Sequence, residues 1–123
     1  MPVAAIRGAT TLDSDTRDEV VARTQELVKR VMDVNELEPD DVISMLFTAS
    51  QDVRSEFPAA AVRALGFGDV PLLCALELAV EGSMPCCIRL MMHVEGERDR
   101  RSYSHVYLHG AVALRPDLVA GGG

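Results

Sequence analysis

Apolar runs bounded by turn-forming or charged residues predict the strands of this chain. Val42–Thr48 and Cys87–Val94 are almost wholly apolar, and polar or Gly- and Pro-containing segments flank both. This is the pattern of buried strands. The other extended segments are shorter or more mixed: Val3–Thr10, Val70–Cys74, Ala75–Val80, and Ser104–His109 with an expected continuation through Ala111–Leu114. We therefore expect about five strands.

Two stretches have helical spacing instead. Thr16 suits a helix N-cap and fits a capping box with Glu19. Apolar positions then recur at intervals of three and four residues, which predicts one long amphipathic helix that ends near Asn35. Pro58 suits the first position of a second, short helix, and Gly66 suits its C-terminal cap.

Two helices among about five strands predict one α+β (mixed α/β) domain with a five-stranded mixed sheet. We expect this domain to cover residues 1–118 and the glycine-rich residues 119–123 to be a flexible tail. Because two helices cover little of such a sheet, an apolar face would be left bare. We therefore expect the chain to oligomerise through that face.

Composition narrows the partners and the compartment. The net charge of −7 disfavours nucleic acid and anionic membranes as partners. No run approaches the ~20 apolar residues of a membrane span, and the N-terminus lacks a signal-peptide pattern. The three cysteines, of which Cys86 and Cys87 are adjacent, favour reduced thiols in a cytoplasm over a disulfide framework.

Arg89 is the single charge within the most apolar strand. A buried guanidinium needs anionic partners, because it does not lose its proton. One interpretation is an internal ion pair, for which Glu77, a lone carboxylate among aliphatic residues, is the simplest partner. The other is a fixed positive charge directed at a ligand anion. Arg7, beside Gly8, is likewise either a surface arginine or a second cation for that ligand.

Most catalytic motifs are missing from the sequence. It has no Gly-x-Ser-x-Gly turn, glycine-rich phosphate loop or dinucleotide fingerprint, so no cofactor is expected. His105 and His109, four residues apart on the predicted last strand, would lie about 13 Å apart, so we expect no metal site. The remaining polar groups are four arginines, a glutamate, a tyrosine and a thiol: Arg7, Arg63, Arg89, Arg115, Glu77, Tyr107 and Cys74. Such a set can orient a small dicarboxylate but is poorly equipped for proton or group transfer.

Short motifs between residue 3 and about residue 118 occur in an order and spacing that point to one protein family. They are Ile6–Thr11, Phe57–Ala59, Ala61–Arg63, Val70-Pro71, Cys74 with Glu77, Cys87–Arg89 with Met91-Met92, His105–Leu108 and Leu114–Leu118. Together they resemble the monofunctional chorismate mutases of the small trimeric α/β type. The resemblance implies a homotrimeric pseudo-α/β-barrel with sites at the subunit interfaces. It also implies an isomerase that rearranges chorismate to prephenate in phenylalanine and tyrosine biosynthesis.

The resemblance also implies roles for particular residues. Arg7 and Tyr107 would hold the carboxylate of the enolpyruvyl side chain, and Arg89 would face the ether oxygen and the neighbouring carboxylate. Glu77 with Cys74 would take the ring hydroxyl. The expected wall and mouth residues are Phe57 and Ala59 from the neighbouring subunit, Leu114 opposite them, and Arg63 and Arg115 as mobile charges.

Two positions depart from the family pattern. Ala60 stands where relatives often carry Lys, which weakens the expected steering of the ring carboxylate. Leu73, at a substrate-contacting position, stands where a small polar residue is common, which alters the expected wall.

Two other functions stay open from the sequence. A trimeric imine deaminase-like enzyme would release ammonia from an imine, and a non-catalytic sensor of an aromatic-pathway metabolite would bind its ligand without turnover.

Overall fold

A five-stranded mixed sheet organises the chain in a computed structural model that describes residues 2–114. The strands are β1 (Val3–Thr11), β2 (Val42–Ala49), β3 (Leu72–Leu76), β4 (Cys87–Glu95) and β5 (Val106–Tyr107), and the α-helices are α1 (Arg17–Val34) and α2 (Pro58–Arg63). Three short 3-10 helices cover Pro39–Asp41, Arg100–Ser102 and His109–Ala113. The predicted mixed sheet with two helices is confirmed. Arg115 and the tail expected at 119–123 lie outside the described residues.

The sheet order is β3-β2-β4-β1-β5, so β4 is the central strand. It runs antiparallel to both of its neighbours, β1 and β2, whereas the edge strands β3 and β5 pair in parallel. No helix in the described part of the chain combines the length and hydropathy needed to cross a membrane.

Residues of β4 alternate between two environments. Ile88, Leu90, Met92 and Val94 are buried in the core, whereas the residues between them are only half-buried. The core also contains the apolar stripe of α1, which comprises Val20, Leu27, Val28 and Val31. At Gly8 a Cβ atom would lie 3.1 Å from Leu27 Cδ1, so α1 approaches β1 closely there. The helices therefore cover one face of the sheet, and the face that carries Arg89 is left open.

The long helix begins and ends as its sequence predicts. Thr16 is the N-cap, and its side chain accepts a hydrogen bond from Glu19 N. The predicted capping box is only half formed, because the Glu19 carboxylate accepts from the backbone of Asp13 and Ser14 rather than from Thr16. The helix ends at Val34, with Asn35 as its C-cap.

The C-terminal strand prediction is wrong in extent. Only Val106 and Tyr107 form β5, and the chain turns into a 3-10 helix at His109. His109 has a φ of 53°, a left-handed conformation that ends the strand. The prediction that His105 and His109 lie on one strand is therefore wrong, because both lie outside β5. Instead, His109 Nε2 lies 2.8 Å from Glu26 Oε1 on α1.

The extended segment expected at Ala75–Val80 also leaves the sheet early. β3 ends at Leu76, because its partner β2 ends at Ala49. The last backbone hydrogen bond between the two runs from Glu77 N to Ala49 O at 2.9 Å. Glu77 therefore starts the connection to β4 beside the end of β2.

Asn35 joins the end of α1 to the segment before β5. It is 1% exposed, its Nδ2 donates to Val31 O at 2.9 Å and Ser104 O at 3.0 Å, and its Oδ1 accepts from Ser104 N at 2.7 Å.

We expect Asn35→Ala to lower the free energy of unfolding by about 2–4 kcal/mol, because two backbone groups of Ser104 lose their partner. Urea denaturation at neutral pH measures this change. Asp33→Ala, at an exposed position of the same helix, is the control and should change it by less than about 0.5 kcal/mol; equal effects would contradict this role.

Carboxylates that accept hydrogen bonds near loops should set the acid limit of stability. The hydrogen bond from Asp13 N–H lowers the pKa of Glu19, and the one from the Ser50 hydroxyl, assisted by Cys86 N–H, lowers the pKa of Asp52. Because the folded pKa lies below the unfolded one, each carboxylate stabilises the fold above its unfolded pKa of about 4. That stabilisation is lost as the pH falls through the folded value.

We therefore expect the urea midpoint to be constant from pH 7 to about 5.5 and to fall below about pH 4.5. A series of urea titrations at stepped pH measures it. Asp52→Asn should make the acid decline shallower, because one of the shifted groups is gone. A midpoint that rises toward pH 3 would show that these carboxylates do not stabilise the fold in their charged form.

Candidate active site

The strand register places the predicted charged residues in rows on the open face of the sheet. Arg89 on β4 pairs with Thr48 on β2 and with Ala9 on β1, and Ala9 pairs with Tyr107 on β5. Directly paired residues project from the same face of a sheet. Thr48, Arg89, Ala9 and Tyr107 therefore form one row. Since Ala9 and Thr48 are small, the row has space on both sides of the Arg89 side chain.

A second row lies beside the first. Arg7, two residues before Ala9, pairs with Met91, and Met91 pairs with Leu46. The backbone N–H of Arg7 donates to His105 Nδ1 at 2.9 Å, which fastens this part of β1 to the segment before β5. Arg7 itself is exposed. Its guanidinium and that of Arg89 therefore project from the same face of neighbouring strands.

These rows enclose a cavity of about 320 Å³, near the lower limit for a small-molecule site. Five of the predicted site residues line it: Arg7, Glu77, Arg89, Tyr107 and Leu114. The other lining residues are Gly8, Ala9, Leu46, Thr48, Leu90 and Met91. The lining of the cavity thus combines apolar side chains with two guanidinium groups and one carboxylate.

The expected Glu77–Arg89 ion pair is present but incomplete. Glu77 Oε2 lies 3.7 Å from Arg89 Nε, and the side chains are 30% and 43% exposed. This separation permits electrostatic attraction but exceeds the length of a good hydrogen bond. An ion pair this exposed contributes little to stability. Arg89 is therefore not fully neutralised, and its guanidinium remains available to an anion in the cavity.

Cys87 lies two residues before Arg89 on β4, and therefore on the same face of the sheet, and is 3% exposed. Burial raises the pKa of its thiol, although the neighbouring Arg89 guanidinium acts in the opposite direction. Its backbone N–H donates to Ser50 Oγ at 2.9 Å. Because the thiol stays neutral at physiological pH, it adds no negative charge beside Arg89.

The charges in this cavity favour an anionic ligand. Two guanidinium groups face one carboxylate, so the local charge is positive although the whole chain carries −7. Arginine keeps its proton throughout the physiological pH range. The site therefore holds a positive field independent of pH and is suited to a small molecule with carboxylate groups.

The structure does not bring Cys74 to Glu77. Cys74 pairs with the buried Phe47, so its side chain lies on the helix-covered face and packs against the core. Together with Phe57 it lines a separate groove of about 350 Å³ at the β3 edge. Within one chain, the predicted site residues therefore form two groups at different places on the sheet.

The remaining predicted residues have varied positions. Ala59 is 5% exposed and belongs to the core cluster, so almost none of its surface is available to a ligand. Arg63 is exposed at the end of α2, and Ala60 is half-buried. Leu73 is 64% exposed and pairs with Leu46, which places it on the open face at the sheet edge. Arg115 lies outside the described residues.

Sequence reasoning missed six residues that line the cavity, and four of them have side chains on the open face of the sheet: Thr48, Ala9, Leu46 and Met91. All four lie in predicted strands, and all four belong to the two rows of paired residues. The missing information was the register, since only the pairing of β2 and β1 with β4 shows which residues flank Arg89.

Within residues 2–114, no group of three or more His, Cys, Asp or Glu side chains is arranged to hold a metal ion.

Known proteins of one family match this chain over nearly its whole length. The family profile of chorismate mutase type I matches residues 3–118. The chorismate mutase AroH of Bacillus subtilis (strain 168) is 42% identical over 119 residues, which cover 96% of this chain and 94% of that protein. AroH of Thermus thermophilus is 38% identical over 117 residues, with coverages of 94% and 96%.

A solved structure agrees with these sequence matches. The chorismate mutase from Clostridium thermocellum superposes with a TM-score of 0.87 at 48% identity, covering 89% of this chain and 97% of that one. Sequence and fold thus point to the same proteins, and the cavity has the charge pattern of a dicarboxylate site. The chain belongs to the chorismate mutase type I family.

Proposed function

We propose that this chorismate mutase rearranges chorismate to prephenate in the cavity that contains Arg7, Glu77, Arg89 and Tyr107. The observation that carries this proposal is the position of Arg89. It projects from the central strand between two small neighbours and is only partly neutralised by Glu77 at 3.7 Å. The central strand fixes the base of this side chain, which limits the region that its charge can reach, and electrostatic catalysis depends on such preorganisation.

Substrate recognition uses the polar and positively charged side chains that line the cavity. Arg7 and Tyr107, on the adjacent strands β1 and β5, hold the carboxylate of the enolpyruvyl side chain. A guanidinium and a phenol hydroxyl are both donors to carboxylate oxygens. Glu77 accepts a hydrogen bond from the ring hydroxyl of the substrate. Together these contacts select the compact conformer in which the two reacting carbons lie near each other.

The reaction needs no general acid or base. The ether C–O bond breaks while a C–C bond forms, so atoms and electrons are redistributed within one molecule and no proton is transferred. Negative charge builds on the ether oxygen as its bond to the ring breaks. The Arg89 guanidinium stabilises that charge by roughly 3–4 kcal/mol, the amount typical of one preorganised donor.

The site is completed by a neighbouring subunit. Apolar residues along β3, the segment after it and the start of α2 are 64–80% exposed in the single chain: Phe57, Leu73, Leu76, Leu78 and Val80. Soluble monomers rarely expose so much contiguous apolar surface. We propose that this surface is buried in a homotrimer, and that the groove of Phe57 and Cys74 in one subunit closes the cavity of the next. Arg63 and Arg115 then add mobile positive charge at the mouth.

Two departures tune this site. At position 60 the chain has Ala, so a charge often present in relatives is absent from α2. Leu73 supplies an apolar wall beside Leu46. We therefore propose that binding of the ring carboxylate depends more strongly on Arg63 and Arg115 here.

The three cysteines are free thiols, which fits a cytoplasmic enzyme. The match over residues 3–118 supports one catalytic domain over residues 1–118.

Arg89→Gln tests the mechanism, because glutamine keeps a shorter donor but removes the charge. We expect kcat to fall by about 10²-fold or more while the protein stays folded, since the ether oxygen is more negative in the transition state than in bound substrate. Arg89→Lys should restore activity only in part, because a point charge cannot reproduce the guanidinium fork. Steady-state assays of prephenate formation and thermal melts measure both. A variant that melts much lower but turns over normally would make Arg89 a structural residue.

Mixing two inactive variants tests the shared site. We expect Phe57→Asp and Arg89→Gln each to be nearly inactive, because each damages a different half of the site. When the two proteins are unfolded together and refolded, mixed trimers contain sites in which both halves are intact. Activity should then exceed the sum of the two separately refolded samples, and light scattering should give a trimer mass. Strictly additive activity, or an active monomer, would contradict the interfacial site.

A further inference from the structure

Thr48 and Arg89 carry two buried polar atoms without a hydrogen-bond partner, and these two residues lie directly opposite each other on β2 and β4. Native proteins pair the great majority of buried polar groups. Among the described residues, the buried side-chain atoms without a partner are Thr10 Oγ1, Thr24 Oγ1, Thr48 Oγ1 and Arg89 Nε. Two of these occur at one cross-strand pair that lines the cavity. Their position therefore points to a state of the site in which both atoms have hydrogen-bond partners.

The two atoms are complementary. Arg89 Nε–H is a donor only, whereas a threonine hydroxyl both donates and accepts. The Cβ atoms of directly paired residues in an antiparallel sheet lie about 4.5–5.5 Å apart. A short rotation of the two side chains therefore brings Thr48 Oγ1 within reach of Arg89 Nε without any movement of the strands.

Glu77 competes for the same atom. Its Oε2 lies 3.7 Å from Arg89 Nε, which makes it the nearest anion to that group but not a hydrogen-bond partner. Glu77 begins the connection after β3, outside the ladder, whereas Thr48 is held by pairing on both of its sides. Thr48 is thus the more rigid of the two acceptors.

We propose that Thr48 is a positioning residue for the known reaction. When substrate occupies the cavity and Glu77 accepts the hydrogen bond from the ring hydroxyl, Thr48 Oγ1 accepts the hydrogen bond from Arg89 Nε. The terminal nitrogens of the guanidinium then remain directed at the ether oxygen and the neighbouring carboxylate. This inference rests on the proposed function, because it assigns Glu77 to the substrate.

Thr48→Val tests the inference, since valine keeps the shape of threonine and removes only the hydroxyl. We expect kcat for prephenate formation to fall by about tenfold, less than the roughly hundredfold loss expected for Arg89→Gln, with KM changed by less than about twofold. Thr48→Ser keeps the hydroxyl and should restore most of the rate. Thr48→Ala removes the hydroxyl without a methyl replacing it and should lower kcat as Thr48→Val does, which provides a second test independent of how well valine packs.

Thr24→Val is the matched control. Thr24 carries another unpaired buried hydroxyl, but it lies on α1 in the core and not at the cavity. The Thr24→Val variant should leave kcat and KM unchanged. A general effect of removing a buried threonine hydroxyl would appear equally at both positions and would overturn the inference.

The double variant Thr48→Val with Arg89→Gln shows whether Thr48 acts through Arg89. Glutamine lacks the guanidinium group that Thr48 is proposed to orient, so we expect Thr48→Val to change kcat by less than about twofold in that background. A further tenfold fall there would overturn the inference, as would a normal kcat for Thr48→Val in otherwise unaltered protein. If the unaltered protein forms no prephenate, the proposed function itself fails, and the two failures are thereby distinguished.

Discussion

The antiparallel pairing of β4 with both β1 and β2 is the constraint on which the rest of the structure depends. It places the most apolar strand at the centre of the sheet and fixes the phase of its alternation. Ile88, Leu90 and Met92 then lie in the core under the helices, and Arg89 must project from the open face. A slip of one residue would place a guanidinium in the aliphatic core, so the register is strongly specified.

In our proposal, the same pairing gives the charged side chain of a central strand a role in catalysis. The backbone of a central strand is hydrogen-bonded on both sides, which fixes the point at which the Arg89 side chain leaves the sheet. Its partial neutralisation by Glu77 leaves a fixed positive field beside the cavity, in a chain that is otherwise acidic. The mechanism that we propose needs orientation and an electrostatic field of this kind, and both would come from side chains of the sheet.

In the single chain, apolar side chains near one edge of the sheet are left uncovered. The open face and the β3 edge expose large apolar side chains, while Phe57 and Cys74 lie in a groove separate from the charged cavity. We propose that association of identical chains both buries this apolar surface and adds the second wall of the site. In our proposal, stability and catalysis therefore share one interface.

The sequence by itself determined the number and type of the elements, because hydrophobic period and helix caps are local properties. It also predicted Arg7, Glu77, Arg89 and Tyr107 as site residues, through a resemblance that spans nearly the whole chain, and the structure places these four at one cavity. It overestimated β5, since the left-handed turn at His109 and the contact of that residue with Glu26 depend on where α1 packs. Only the tertiary structure decided that Thr48 and Ala9 flank Arg89 and that Cys74 lies on the other face from Glu77. The physical reason is that cross-strand register joins residues about 40 positions apart, and hydrogen bonding along the whole sheet sets that register.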